Sequence, residues 1–417
     1  MKRLIFTALC AIALLCSCNE EGKIKTINVK VTVNESKLGD VKPESYTVIL
    51  TNKATAVETK ATTENGIATA AVVPGVYNVT ATAAIAEDGF TYSITGSVSE
   101  VSFIAENDET EVTVSLVKES QLIFKELYYN CCTYETGEVD ENGKPSTDTY
   151  IRDQYYEIYN NSNEVAYADG LCITQLLYAN YDYTTIYEFE VPGADAADYV
   201  FIQDAWQIGG NGTTYPIEPG ESIIIAQWAT NHKAENLTNG GSPVDLSIAD
   251  FEAIEKEETL FNGTVITDGP AHNMKFAVNT KGWKMPQWLT NVGGSYMVIF
   301  KPESPLRQDN FLLAKNDDYT QVLEIPISEV YDAVQAIEKE ADVALIRTNA
   351  LLDAGYIWLT DTYTGKSISR KVAETTLANG SAKYVDTNNT VNDFEINDSP
   401  VIRRNGAKVP SWNTWNK

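Results

Sequence analysis

Residues 27–33, Ile-Asn-Val-Lys-Val-Thr-Val, alternate apolar and polar positions without a break. Ile27, Val29, Val31 and Val33 share one face and Asn28, Lys30 and Thr32 the other, the period-two signature of a half-buried strand. The pattern recurs farther on. Tyr77, Val79, Ala81, Ala83 and Ile85 line one face after the Pro74-Gly75 turn, and Val112, Val114 and Leu116 alternate with Thr113 and Ser115. Glu64-Asn65-Gly66 adds a hairpin signal, because Asn and Gly accept the positive φ of a tight turn. Short strands separated by turns, with no helical period, predict a small antiparallel sandwich over 27–117.

Lys118 to Gln121 forms the joint to a second part, 118–417, with more aromatic residues and longer polar loops. Its length is near the limit for a single core. One helix is predicted near Ser328 to Ala341: Ser328 can cap it, and Val330, Val334, Ile337 and Ala341 lie at helical spacing. The predicted fold class is all-β, a small sandwich followed by a larger one with insertions and one short helix.

The first 17 residues read as a leader. Lys2 and Arg3 make a basic start and Leu4 to Leu15 an uncharged stretch. That stretch is too short for a bilayer core, which takes about 20 apolar residues. Leu15-Cys16-Ser17-Cys18 resembles a bacterial lipobox, which implies that Cys18 is lipidated and becomes the mature N-terminus. Residues 18–26 then link the anchor to the first sandwich. Two or more acyl chains hold a protein stably on a membrane. Asn19-Glu20-Glu21 resembles the acidic signal that sends many Bacteroidetes lipoproteins to the cell surface. The expected location is the outer membrane, lipid-anchored and facing the exterior.

Charge narrows the partners. The chain carries 58 acidic and 31 basic residues, a net −27, and loss of Lys2 and Arg3 with the leader takes this to −29. Such a chain is repelled by phosphate backbones, so no nucleic-acid partner is expected.

Of the six cysteines, Cys131, Cys132 and Cys172 follow the anchor. Neighbours in a strand face opposite ways, so one of the adjacent pair can meet Cys172. Cys132–Cys172 is the candidate bridge, with three buried thiols as its alternative.

Catalytic motifs are absent from the sequence. The two histidines, His232 and His272, lack a second His at ligand spacing, and no nucleophile elbow or phosphate-binding loop occurs. The stretch Tyr384 to Asp398 concentrates oxygen ligands of the kind calcium takes, with Asp386, Asn388 and Asp393 as candidates. Its spacing departs from the EF-hand, and Asn and Asp also build turns by bonding their own backbone. No metal or cofactor is otherwise expected. Tyr178, Tyr181, Tyr183 and Tyr187 crowd one insertion, and Trp412 and Trp415 one tail. Tyr178, Tyr181 and Tyr183 make the candidate interaction loop, since exposed aromatic faces serve interfaces.

Several resemblances add to this reading. "ATAAVVPGVYNVTATA" resembles the turn and strand of carboxypeptidase-regulatory-like modules, related to immunoglobulin-like and prealbumin-like sandwiches, which implies a spacer or scaffold. "RDQYYEIYNNSNEVAYADGLCI", "IEPGESIIIAQ", "LTNVGGSYMVIF" and "KSISRK" resemble successive stretches of the lamin-tail domain, an immunoglobulin-like sandwich. The lipobox, the small sandwich, "LIFKELYYN" and "KYVDTNNTVNDFEI" together resemble an uncharacterised Bacteroidetes surface-lipoprotein family, domain of unknown function 4876. That resemblance implies a non-catalytic binding protein, an accessory to a TonB-dependent uptake receptor. A surface glycan hydrolase using paired carboxylates is the rival reading, and a structural or adhesive protein a third.

Overall fold

The computed structural model describes residues 25–38, 42–55, 57–87, 90–118, 120–179, 185–256, 258–259, 263–282, 288–294, 296–338, 352–353 and 355–416. The chain divides into two compact units, Met1–Ala83 with Val98–Val114, and Ala84–Ser97 with Ser115–Lys417. Both are built from strands; two four-residue helices, Glu235–Thr238 and Thr390–Asp393, occur among the described residues.

In the first unit, the alternating Ile27–Asn34 strand lies between Ile67–Val72, antiparallel, and Glu109–Thr113, parallel. Val29, Val31, Val48, Leu50, Val79 and Ala81 are fully or almost fully buried, so the predicted apolar face is the buried one. The Glu64-Asn65-Gly66 signal is a turn with φ of 53° at Asn65 and 79° at Gly66, closed by a bridge from Glu64 to Ile67.

The second unit holds two large sheets. One has seven strands in the order His272–Asn273, Phe251–Glu252, Ser222–Ala226, Tyr155–Asn160, Leu122–Tyr128, Ser367–Arg370 and Phe394–Asn397. The other has six: Lys275–Asn279, Asp204–Gln207, Cys172–Gln175, Tyr296–Phe300, Val330–Ile337 and Ile357–Trp358. Phe124, Leu127, Tyr156, Ile158, Ile223, Ile225 and Ile368 of the first meet Ile173, Trp206, Met297, Ile299 and Val334 of the second in the main core.

Each sheet is also covered on its outer face. Cys172, Val298, Phe300 and Ala333 of the six-stranded sheet pack against Val200, Ile202, Leu323 and Ile325. The last four belong to a three-stranded cover sheet, Tyr199–Ile202, Gln321–Pro326 and Leu312–Leu313. Tyr128, Tyr155 and Ile224 of the seven-stranded sheet face a separate cluster with Val244 and Leu246. Strands Leu122–Tyr128, Tyr155–Asn160 and Ser222–Ala226 are therefore buried at every position. A strand enclosed on both faces loses the alternation that a half-buried strand shows.

The predicted helix at Ser328 to Ala341 is corrected. Ile327–Glu329 is one 3₁₀ turn and Val330–Ile337 a strand antiparallel to Tyr296–Phe300, while 339–341 lie outside the described residues. Ala333 faces the cover-sheet core while Val334 and Ala336 face the main one. The apolar spacing that resembled a helix is that of a strand buried on both faces, and β-branched Val330, Val334 and Ile337 suit it.

Candidate functional site

The cover sheet positions the strongest candidate surface. In Tyr199–Ile202, Val200 and Ile202 point into the core, so Tyr199 and Phe201 turn the other way and stay half-buried. Phe201 meets Phe189 with ring centroids 4.5 Å apart at 32°, and Phe189 meets Tyr187 at 6.2 Å and 44°. Three rings therefore form a short ladder.

The ladder is strapped in place by backbone bonds. Lys315 N donates to Glu188 O at 2.7 Å, Glu188 N to Asn316 Oδ1 at 3.1 Å, and Asn316 Nδ2 to Ile186 O at 2.7 Å. Tyr187 N donates to Tyr178 O at 2.9 Å.

Beside Phe201 in register is Glu324, which accepts a two-pronged bond from Arg307 at 2.5 Å on each oxygen. The buried Arg307 Nε has no hydrogen-bond partner. At the end of the adjoining turn Tyr319 is 92% exposed, its backbone N–H held by Asp317 Oδ1 at 2.8 Å. Ring faces with a fixed guanidinium–carboxylate pair alongside can stack a flat or ring-shaped ligand and hydrogen-bond its rim.

The sequence-predicted residues are placed as follows. Tyr178 is half-buried and packs on the cover-sheet core, and its carbonyl orients the ladder. Tyr181 and Tyr183 lie outside the described residues, as does the lipidation candidate Cys18. Phe189 and Phe201 escaped the sequence reading. The alternating "YEFEV" and "YVFI" stretches carried the available signal.

The Cys132–Cys172 bridge is corrected. Cys132 Sγ donates to Asp153 Oδ2 at 3.4 Å, whereas Cys172 Sγ faces the cover-sheet core and Gly170 O. Cys131, Cys132 and Cys172 are buried and unbridged in this structure.

In the calcium candidate, Asp386 and Asp393 turn toward Arg370, whose Nη1 lies 3.2 and 3.1 Å from their carboxylates. Asp393 also accepts from Thr387 N, and Asn388 is a turn residue with φ of 51°. A guanidinium thus occupies the centre that these carboxylates face. Among the described residues, no group of three His, Cys, Asp or Glu is arranged to hold a metal ion.

His232 is fully buried. Tyr150 OH lies 2.8 Å from Nδ1, and Nε2 lies 2.9 Å from Trp228 O, so Nε2 carries the proton and Nδ1 accepts from the hydroxyl. Burial pushes its pKa down to about 4. His272 sits among Tyr215, Phe251, Trp412 and Trp415 at 5.0 to 5.8 Å. The two tryptophans donate to Pro216 O and Ala249 O, which makes the tail a clasp on the sheet edge.

Comparison with known proteins places the chain. Residues 218–401 match the family described as "Protein of unknown function (DUF4876)". A crystal structure of a DUF4876 family protein from Bacteroides thetaiotaomicron VPI-5482 is similar over 93% of this chain and 99% of that one, at 31% identity and a TM-score of 0.61. The chain belongs to the DUF4876 family. A structure of a candidate adhesin from Bacteroides ovatus ATCC 8483 aligns over 76% of this chain and 89% of that one, at 9% identity and a TM-score of 0.19. No curated protein matches the sequence. The site residues of this DUF4876 chain therefore stand on their own geometry.

Proposed function

We propose that this DUF4876 chain is a non-catalytic, lipid-anchored binding protein of the outer membrane, facing the exterior, and an accessory to a TonB-dependent uptake receptor. The observation that carries the binding role is the strapped ladder Tyr187–Phe189–Phe201 beside Arg307–Glu324. Half-buried rings, one on a strand and two on a segment held by hydrogen bonds, present apolar area at a reduced ordering cost on binding. Support for the anchor comes from the lipobox around Cys18, and support for an outward-facing position from the acidic residues that follow it.

The test is a gentle-detergent pull-down of the native lipoprotein from outer membranes, beside a Phe189→Ala/Phe201→Ala variant. The expected result is a stoichiometric β-barrel receptor with the parent and a reduced yield with the variant. A partnerless parent protein overturns the accessory role, and equal yields from both remove the ladder from it.

A further inference from the structure

The corner between Leu122–Tyr128 and Cys132–Val139 contains two adjacent cysteines, and its backbone is unusual. Cys131 has φ of 60°, in the left-handed region that residues with a side chain rarely adopt. Asparagine and glycine account for most of the other positive-φ positions in the chain. A cysteine held in this conformation within a buried corner calls for a reason.

The conformation changes where the two thiols point. Neighbours in an extended strand face opposite ways. Here both thiols are buried in one corner: Cys132 Sγ donates to Asp153 Oδ2 at 3.4 Å, and Cys131 Sγ to Tyr129 O at 3.7 Å. Tyr128 OH and Ser242 Oγ also reach Asp153 Oδ2, at 3.1 and 2.8 Å. The third cysteine, Cys172, faces another core. Among the described residues, each member of the pair therefore has only its neighbour as a possible partner.

We propose that Cys131 and Cys132 close a vicinal disulfide in the exported protein. Adjacent Cα atoms are only about 3.8 Å apart, closer than in most disulfides, so ring closure needs a backbone that departs from the extended form. Cys131 already departs from it. Two S–H bonds are lost and one S–S bond forms. The oxidant is the disulfide of a thiol–disulfide exchange protein, which takes up the two electrons and two protons and leaves as a dithiol.

Burial raises both thiol pKa values, so neither is a ready thiolate once the corner has closed. Exchange therefore precedes burial, and the closed bond is afterwards shielded from reductant. The ring would lock a corner on which two other segments depend. Asn130 Nδ2 donates to Val292 O and Asp361 O, Asn130 Oδ1 accepts from Thr364 N, and Cys131 O accepts from Gly365 N.

The proposal shares one premise with the functional reading, export across the inner membrane, and the experiment separates them. Native lipoprotein is denatured from cells in alkylating reagent and digested with trypsin. Cys131 and Cys132 then fall in one peptide, Glu126 to Arg152, because Pro145 protects the bond after Lys144. Without reductant, that peptide is expected unlabelled and two hydrogens light; after reduction it takes two labels. Cys172 is labelled in both cases. Lipidated Cys18 in the same digest establishes export independently. Lipidated Cys18 with both corner cysteines labelled before reduction overturns the disulfide and leaves the functional reading standing. A link from either corner cysteine to Cys172, or to a second chain, also overturns it.

Discussion

Arg370 and Asp332 join the two large sheets through a buried ion pair in which Nη2 lies 2.8 and 2.7 Å from the two carboxylate oxygens. Arg370 belongs to the seven-stranded sheet and Asp332 to the six-stranded one. Asp332 Oδ2 also accepts from Phe124 N at 2.7 Å, and Arg370 Nε donates to Phe124 O at 2.8 Å. Burial pushes Asp332 upward against the pull of Arg370, while Asp332, Asp386 and Asp393 together keep the guanidinium protonated.

Removing one member strands the other. Arg370→Leu is expected to cost about 3–5 kcal/mol, the loss that follows an uncompensated buried charge. Arg370→Lys should recover little, because one ammonium cannot serve Phe124 O, Asp393 and Asp332 together as the three guanidinium nitrogens do. Urea unfolding midpoints measure both; an Arg370→Leu midpoint equal to the parent's would show that the pair does not brace the sheets.

Glu252 gives a pH dependence of definite sign. Burial, with Asp268 adding repulsion, pushes its carboxyl to about 7, above the ordinary 4.5. Between those values the folded chain holds a proton that the unfolded chain releases, so this contribution favours the fold below pH 4.5 and is lost as pH rises to 7. His232, pushed down to about 4, acts in the opposite sense: its neutral form costs stability as pH falls from 6.5 toward 4. Glu252→Gln should therefore flatten the fall in stability between pH 4.5 and 7 by about 2–3 kcal/mol relative to the parent. Parallel parent and variant curves across that window would refute the assignment.

Asp169 organises the loop that carries Tyr215 to the aromatic clasp. Its Oδ1 accepts from Asn211 N at 3.0 Å, Gly212 N at 3.0 Å and Thr214 N at 2.8 Å, and its Oδ2 from Tyr215 N at 2.8 Å. Burial raises its pKa, but these donors outweigh burial and leave it lowered. Asp169→Ala is expected to cost about 3 kcal/mol, several charge-assisted bonds being lost together. Faster amide exchange confined to residues 209–215 should accompany the loss; unchanged exchange there would show that the loop holds itself.

The legible parts of the sequence were those with one wet face. Ile27–Asn34 alternated and proved half-buried, and Asn65-Gly66 announced its turn. The stretches quoted for the larger unit fell on strands Tyr155–Asn160, Ser222–Ala226, Tyr296–Phe300 and Ser367–Arg370. Val330–Ile337 was misread because burial on both faces removes the alternation that separates strand from helix. Arg370 lay inside the quoted stretch "KSISRK", but its partner Asp332 lies 38 positions away in the segment read as helix. The aromatic ladder was legible in part. Tyr178 and Tyr187 marked the segment, whereas Phe201 joins it only because Val200 and Ile202 claim the inner face.

The most direct measurement of the central claim is the detergent pull-down of the native lipoprotein, with Cys18→Ala as its companion. The expected result is a stoichiometric TonB-dependent β-barrel with the parent, weakened by Phe189→Ala/Phe201→Ala, and a Cys18→Ala protein released from the outer membrane. A parent protein recovered without a receptor, or a Cys18→Ala protein still anchored there, would contradict it.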